Sequence, residues 1–452
     1  MQAVVMVAGG FIGNLIAPGV GWKWGMALGS MLGGYLYPPS SKAGPNKVAG
    51  LNVTAPAKGQ VLPVVYGKTR VAGSIIWFGN FQSHDAGSGG ASGGGAKGSG
   101  QETYTASVAI ALGEGIVGSL NAILAGDDDV TADTTYTWHT GTVGQAVDAH
   151  MQAYLEAGQP DLTYPGVAYC VLQDFDLGYS SSLPNFNFIV TRTTANLVTG
   201  NSYLTTLGLN TFTEDANGDL NPVVCLADFL THPKYGLAVP VADVDAASWQ
   251  EIAQWCADEG LYCSPVLDTA QRGLGHVEEL LSYFDGLLVY SQGLFKLRSR
   301  RSPAREAVDY AVVDWRDWLR HPTLSRAIDQ QIANVVSLEY SNRAANYNTA
   351  VVERSDDWDV GTRGAYREQI SLPGVKTAAV ADMLASKMLW ARIVGPQQIE
   401  MGLGPQAAWF EPGDLLLVKG SEFYAIRDTL YRVVSISEDP NGEYTVSAVE
   451  ER

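Results

Sequence analysis

The run Val61-Leu62-Pro63-Val64-Val65-Tyr66-Gly67-Lys68-Thr69-Arg70-Val71-Ala72-Gly73-Ser74-Ile75-Ile76-Trp77 leaves this chain few choices. β-Branched and aromatic residues fill it, and such side chains suit a pleated, half-buried surface. Pro63, Gly67 and Gly73 interrupt it where a strand starts, bends or lets another backbone approach closely. The run predicts two short strands with a bend at Gly67, hence a β domain.

At 452 residues the chain can hold several domains, each burying its own core. Hydrophobic residues make up 46% and charged ones 17%, with 50 Gly and 21 Tyr, a balance suited to a β-rich protein whose surfaces are partly covered by neighbours. Forty-seven acids against 29 bases give a net charge of -18, which repels phosphate and removes the counterion-release drive for nucleic-acid binding. Cys170, Cys225, Cys256 and Cys263 form no CxxC pair and sit in apolar runs, so they read as small core residues, with neither disulfide nor zinc.

Residues 4-36 are apolar, almost uncharged and broken at Pro18. Gly9 and Gly13 precede the proline, and Gly21, Gly25, Gly29 and Gly33 follow at a spacing of four, which on a helix puts glycines on one face where another backbone can approach. Each costs about 1 kcal/mol against alanine in a helix interior, so this glycine zipper needs a partner to pack against. The uncharged start Met1-Gln2-Ala3 and Lys23 inside the run fit a signal peptide badly. Pro18, Gly19 and Gly21 split the run into pieces shorter than the roughly 20 residues a bilayer needs, so a packed helix pair is favoured over a membrane span.

A strand ending near Phe81 runs into a tract with Gly87, Gly89, Gly90, Gly93, Gly94, Gly95, Gly98 and Gly100, and the chain returns as a strand, Tyr104 to Leu112. This reads as a long hairpin with a mobile tip. Neither GKS nor GKT follows the tract, against a phosphate loop. Asp127, Asp128 and Asp129 read as a solvated turn. Asp215, Asn217 and Asp219 imitate a calcium loop, but Leu220 stands where its glycine belongs and Leu226 where its bidentate glutamate belongs, so Asn217-Gly218 reads as a hairpin turn.

From Asn221 the pattern is mixed α and β: a helix through Phe229-Leu230, a helix Ala246 to Asp258 capped by Asp245, a strand Leu261 to Leu267, a helix Val277 to Tyr283 and a hairpin turning at Gln292-Gly293. Residues 301-452 return to strands around Asn334 to Tyr340, Glu411 to Val418, and a last hairpin across Asn441-Gly442, with an amphipathic helix from Thr377 to Ile393. His276-Val277-Glu278-Glu279 is not HExxH, and no other histidine spacing suggests a metal.

The phrase "LPVVYGKTRVAGSIIW" resembles the opening of the tail-tip or baseplate hub proteins of long-tailed bacteriophages, the family that includes the tip attachment protein of lambda and the hubs of gene transfer agents. Ala111 to Gly118, His139 to Gln145, Tyr164 to Tyr169, Asp174 to Gly178, and Pro184 with Phe186, Phe188 and Val190 resemble its successive signatures in order. Residues 411-418, "EPGDLLLV", and "YRVV" at 431-434 resemble its closing strands.

The resemblance implies a β-rich multidomain α+β fold. Residues 1-49 form the glycine-zipper segment and linker, 50-220 a first tube-like β-barrel hub region, 221-300 an inserted αβ domain and 301-452 a second hub region. It implies a structural homotrimer at the virion tail tip, assembled in the bacterial cytoplasm, that caps the tail tube, converts sixfold to threefold symmetry and gates DNA exit. Its implied partners are a distal tail protein or tube ring, the end of the tape-measure protein, a separate receptor-binding or fibre protein, and genomic DNA passing without specific binding. No catalytic, metal or cofactor residue is expected, and the zipper glycines 9, 13, 21, 25, 29 and 33 are the candidate contact for a plug or partner helix. Two rivals stay open: a cell-wall glycan hydrolase using carboxylates such as Glu114, Glu278 and Asp285, and a membrane-perforating protein acting through residues 4-36 in contact with a membrane during infection.

Overall fold

The computed structural model describes residues 61-85, 102-155, 162-299, 311-326, 332-393, 397-420 and 428-451. The glycine-zipper residues Gly9, Gly13, Gly21, Gly25, Gly29 and Gly33, and the glycine tract after residue 85, lie outside them. The described chain is β-rich with helices between the sheets, and it divides into two compact units. One takes residues up to Leu62, Val71–Gly115 and Ser119–Ile189; the other takes Pro63–Arg70, Ile116–Gly118 and Val190–Arg452.

In the first unit four antiparallel strands run in the order Ser74–Asp85, Glu102–Glu114, Val167–Gly178 and Thr135–Thr140. Glu102–Glu114 is buried almost throughout because strands flank both its edges. Its inward residues Ala109 and Ala111 pack with Met151, Tyr169 and Val171. Both strands expected from sequence here are present and longer than expected.

In the second unit the entry segment forms the short strand Val64–Val65, paired with Val266–Leu267, and bends at Gly67 (φ 63°) as its sequence predicts. Only glycine fits there, since a Cβ would lie 2.1 Å from Ser264 Oγ. The helix Pro222–Thr231 is buried along its whole length, with Pro222 in its first turn and the Asn221 side chain accepting from Val223 N at 3.0 Å. Asp245 caps Ala246–Asp258, whose Trp249, Ile252, Ala253 and Cys256 all face the core. Gly286–Ser291 and Leu294–Ser299 form the predicted hairpin, with both turn residues at positive φ, Gln292 at 54° and Gly293 at 83°.

Two expectations change. The strand predicted over Leu261 to Leu267 shrinks to Val266–Leu267, because Cys263 bonds back to Leu220 and Ser264 N donates to Gly374 O at 2.7 Å, so these residues serve three different neighbours. Asn217-Gly218 makes a tight turn but joins no two strands; it leads into the helix at Pro222.

The C-terminal residues build a six-stranded sheet, ordered Ala311–Asp314, Leu415–Lys419, Thr429–Glu438, Tyr444–Glu450, Gln397–Leu403 and Trp318–Arg326. Its two outermost strands are consecutive in sequence, joined by the short helical turn Trp315–Asp317. Five strand spacings span about 24 Å in a flat sheet. Four Cα steps reach at most about 15 Å. The sheet therefore curls until its edges approach, enclosing Val313, Ile399, Met401, Leu416, Tyr431 and Val446. A smaller sheet, Asn348–Ser355, Val335–Asn342 and Arg367–Ser371, packs one face on the helix Ala378–Ile393.

Candidate functional site

Three clusters of chemistry-bearing side chains among the described residues bear on function. The first surrounds Asp228 on the buried helix Pro222–Thr231. Its Oδ2 accepts from Tyr235 Oη at 2.7 Å and Tyr66 Oη at 3.1 Å, and its Oδ1 from Asn201 Nδ2 at 3.1 Å. Arg192 donates to Tyr235 Oη at 2.7 Å and Val65 O at 3.3 Å and lies over both tyrosine rings. Burial, reinforced by the Asp228 carboxylate, pushes the Tyr66 hydroxyl well above its ordinary range. Both Asp228 and Arg192 are fully sealed from solvent and are bridged by Tyr235, so these two buried charges hold segments together rather than line a cleft that receives a substrate.

The second centres on Asp219. Its carboxylate takes both Arg343 Nη1, at 3.1 Å, and Arg343 Nη2, and accepts from Ser264 Oγ. Ser264 Oγ and Arg343 in turn hold the backbone of Lys68. Asp219, the last residue of the calcium-like triplet, is thus consumed by an internal ion pair. Beside it Lys376 Nζ donates to Pro373 O at 2.7 Å, and burial lowers its pKa to about 8.

The third lies in the first unit and contains Ser107, His150 and Asp174. Ser107 Oγ sits 2.8 Å from His150 Nε2 and donates to Asp174 Oδ1 at 2.9 Å. A nucleophile triad needs the carboxylate on the far nitrogen of the imidazole. Here it bonds the serine itself, which is fully buried, so the group is arranged for structure. Nearby, His139 stacks on Tyr169 and bonds Asp148 at 2.9 Å; burial, then the Asp148 and Tyr164 charges, push the Tyr169 hydroxyl up to about 12.

The carboxylates considered for a hydrolase are dispersed. Glu114 ends the strand Glu102–Glu114 in the first unit, Glu278 is exposed on the helix Gly273–Ser282, and Asp285 occupies a turn at φ 51°. None lines the shallow depression of about 180 Å³ on the curled sheet, which is walled by Thr323, Ser325, Gln398, Glu400, Val434 and Ser447 among others. Among the described residues no group of three or more His, Cys, Asp or Glu is placed to hold a metal ion, and no helix is long and apolar enough to cross a membrane. All four cysteines are free and buried.

The surface carries bare aromatics: Trp409 is 84% exposed, Trp358 78%, Tyr290 65% and Trp390 57%. Exposed tryptophans of this kind are what interfaces recruit. Sequence reading missed the Asp228 and Asp219 networks. One signal was available: in Phe186–Arg192 the alternation that buries Phe186, Phe188 and Val190 puts Arg192 on the same inward row.

Residues 275-436 match the family model described as "Putative phage tail protein". No curated protein matches the chain. Among solved structures, a chain of the virion of a native gene transfer agent particle is similar over 100% of this chain and 96% of its own, at 19% identity and a TM-score of 0.64, which shows a shared fold. The 43 kDa tail protein of prophage MuSo2 from Shewanella oneidensis is similar at 12% identity over 87% of this chain and 98% of that one, with a TM-score of 0.32. Prophage tail protein gp18 from Listeria monocytogenes EGD-e is similar at 10% identity over 76% and 84%, with a TM-score of 0.30.

Proposed function

We propose, from the premise of a phage tail-associated protein, that this chain is the structural hub of a tail tip. It assembles as a homotrimer that caps the tail tube, passes from sixfold to threefold symmetry and gates DNA exit. The curled C-terminal sheet supplies one barrel-like unit per chain, and the sheet of the first unit supplies the basis of another.

The observation that carries the proposal is the edge strand Ser74–Asp85. It holds Ile75, Ile76, Trp77, Phe78 and Phe81 in twelve residues, without a lysine, arginine or proline. No strand lies beyond it among the described residues, and the opposite edge, Thr135–Thr140, likewise carries none of these guards. Edges without lysine, arginine or proline invite pairing with another chain, and two different edges on one sheet suit a head-to-tail ring. The sealed polar networks fit a scaffold, and the exposed tryptophans offer contacts for a tube ring, a tape-measure end or a receptor-binding protein. The net charge of -18 gives passing DNA few cationic partners.

Sedimentation of Phe78→Lys tests this reading. A lysine on the edge strand should abolish self-association while the chain stays folded. Unchanged association would remove the edge from the account.

A further inference from the structure

Of the five register irregularities in the ladders flanking Glu102–Glu114, two lie on one line. Opposite Ala106, the strand Ser74–Asp85 contributes an extra residue between Gly79 and Gln82; opposite Ser107, Val167–Gly178 does the same between Leu172 and Phe175. Asn80 (φ 46°) and Asp174 (φ 47°), one in each bulge, both take the left-handed conformation. Bulges bend the strand that carries them, so two on adjacent positions of the central strand turn the sheet sharply at one level.

The side chains at that level form a closed set. The single proton of Ser107 Oγ goes to Asp174 Oδ1 at 2.9 Å, which leaves its lone pairs for Asp174 N–H at 2.9 Å and His150 Nε2–H at 2.8 Å. Asn80 Nδ2 donates to the same Asp174 Oδ1 at 2.5 Å, so one carboxylate joins the two bulges across the central strand. His150 is carried by the short helix Ala149–Ala153, capped by Asp148. On the inner side of the line Val108 to Leu112 are fully buried; on the outer side Gln82, Ser83 and His84 are exposed.

We propose that this line is a hinge in the sheet and that the Ser107 hydroxyl is its latch. With the latch closed, the outer ladder, residues 82-84 paired with 103-105, is held at a fixed bend from the inner ladder. With it open, the outer ladder moves as an arm while the inner ladder keeps its register. The inference does not depend on the tail-hub reading.

Hydrogen exchange of the full chain tests it, using Ser107→Ala, Asp174→Gly and Asp174→Asn. Glycine keeps the left-handed backbone but loses the acceptor, whereas asparagine keeps both. Ser107→Ala and Asp174→Gly should raise exchange about tenfold at 82-84 and 103-105 and leave 108-112 unchanged, with Asp174→Asn close to the parent. Equal acceleration of both ladders, or none in either, would overturn the proposal. If Ser107→Ala fails to fold, the glycine and asparagine pair decides by the same criterion.

Discussion

Two edge strands of this molecule solve the same problem in opposite ways. Trp318–Arg326 borders the curled sheet and carries Arg320, His321, Pro322 and Arg326, with two irregularities in its register against Gln397–Leu403. Its charges and its proline discourage a further strand. Ser74–Asp85 is longer and carries no lysine, arginine or proline, although its register against Glu102–Glu114 is also broken twice. The second unit has a large continuous core and buried polar networks around Asp228 and Asp219, and in the first unit Ala109, Ala111, Met151, Tyr169 and Val171 form one buried cluster behind the sheet. On the proposed reading, the first unit's sheet is the part that other copies complete.

The largest predicted effect falls on the second unit. Asp228→Ala leaves Arg192 buried without its counter-charge and should cost about 3–5 kcal/mol in urea unfolding. Pairing it with Arg192→Met should recover part of that loss, since neither charge is then stranded. Full additivity of the two changes would contradict the coupling.

Lys376 gives a pH signature in the same unit. Its folded pKa of about 8 lies below the usual lysine value of 10.5, so the fold carries a burial penalty at neutral pH. Between those values the unfolded chain holds the proton that the folded chain has released, and this residue's share of stability rises with pH. Lys376→Met should therefore be more stable than the parent by up to about 3 kcal/mol at pH 7, with the gap closing between about pH 8 and 10.5. A gap that stays constant through that window would show that Lys376 does not titrate as described.

Exchanging the edge devices sharpens the comparison with a smaller energetic change. Arg320→Thr with Pro322→Val strips the guarded edge and should produce concentration-dependent association in sedimentation. Phe78→Lys guards the bare edge and should remove association at a folding cost of about 1 kcal/mol. Trp409→Ala comes last: with 84% of the residue exposed, it should shift the urea-derived stability by no more than about 0.5 kcal/mol.

What was legible in the sequence was local. Asp245 marks the start of Ala246–Asp258, Gln292-Gly293 fixes a hairpin, and Asn441-Gly442 joins the last two strands, because each signal acts within a few residues. Trp318–Arg326 was hidden because Pro322 and its charges read as loop, although they are what an edge strand requires. The helix Asp357–Arg363 was hidden in a charged stretch, with Asp356 as its cap. Asp228 looked like one polar residue in an apolar helix. Its partners, Tyr66 and Arg192, arrive from 162 residues and 36 residues upstream, distances no local pattern reports.

The central claim is that the first unit is completed by other copies. Light scattering on the purified full chain and on a chain beginning at Gly50 tests it most directly. The account predicts a trimer mass in both, since the edge strand is present in each. A monomer in both, even at high concentration, would contradict it.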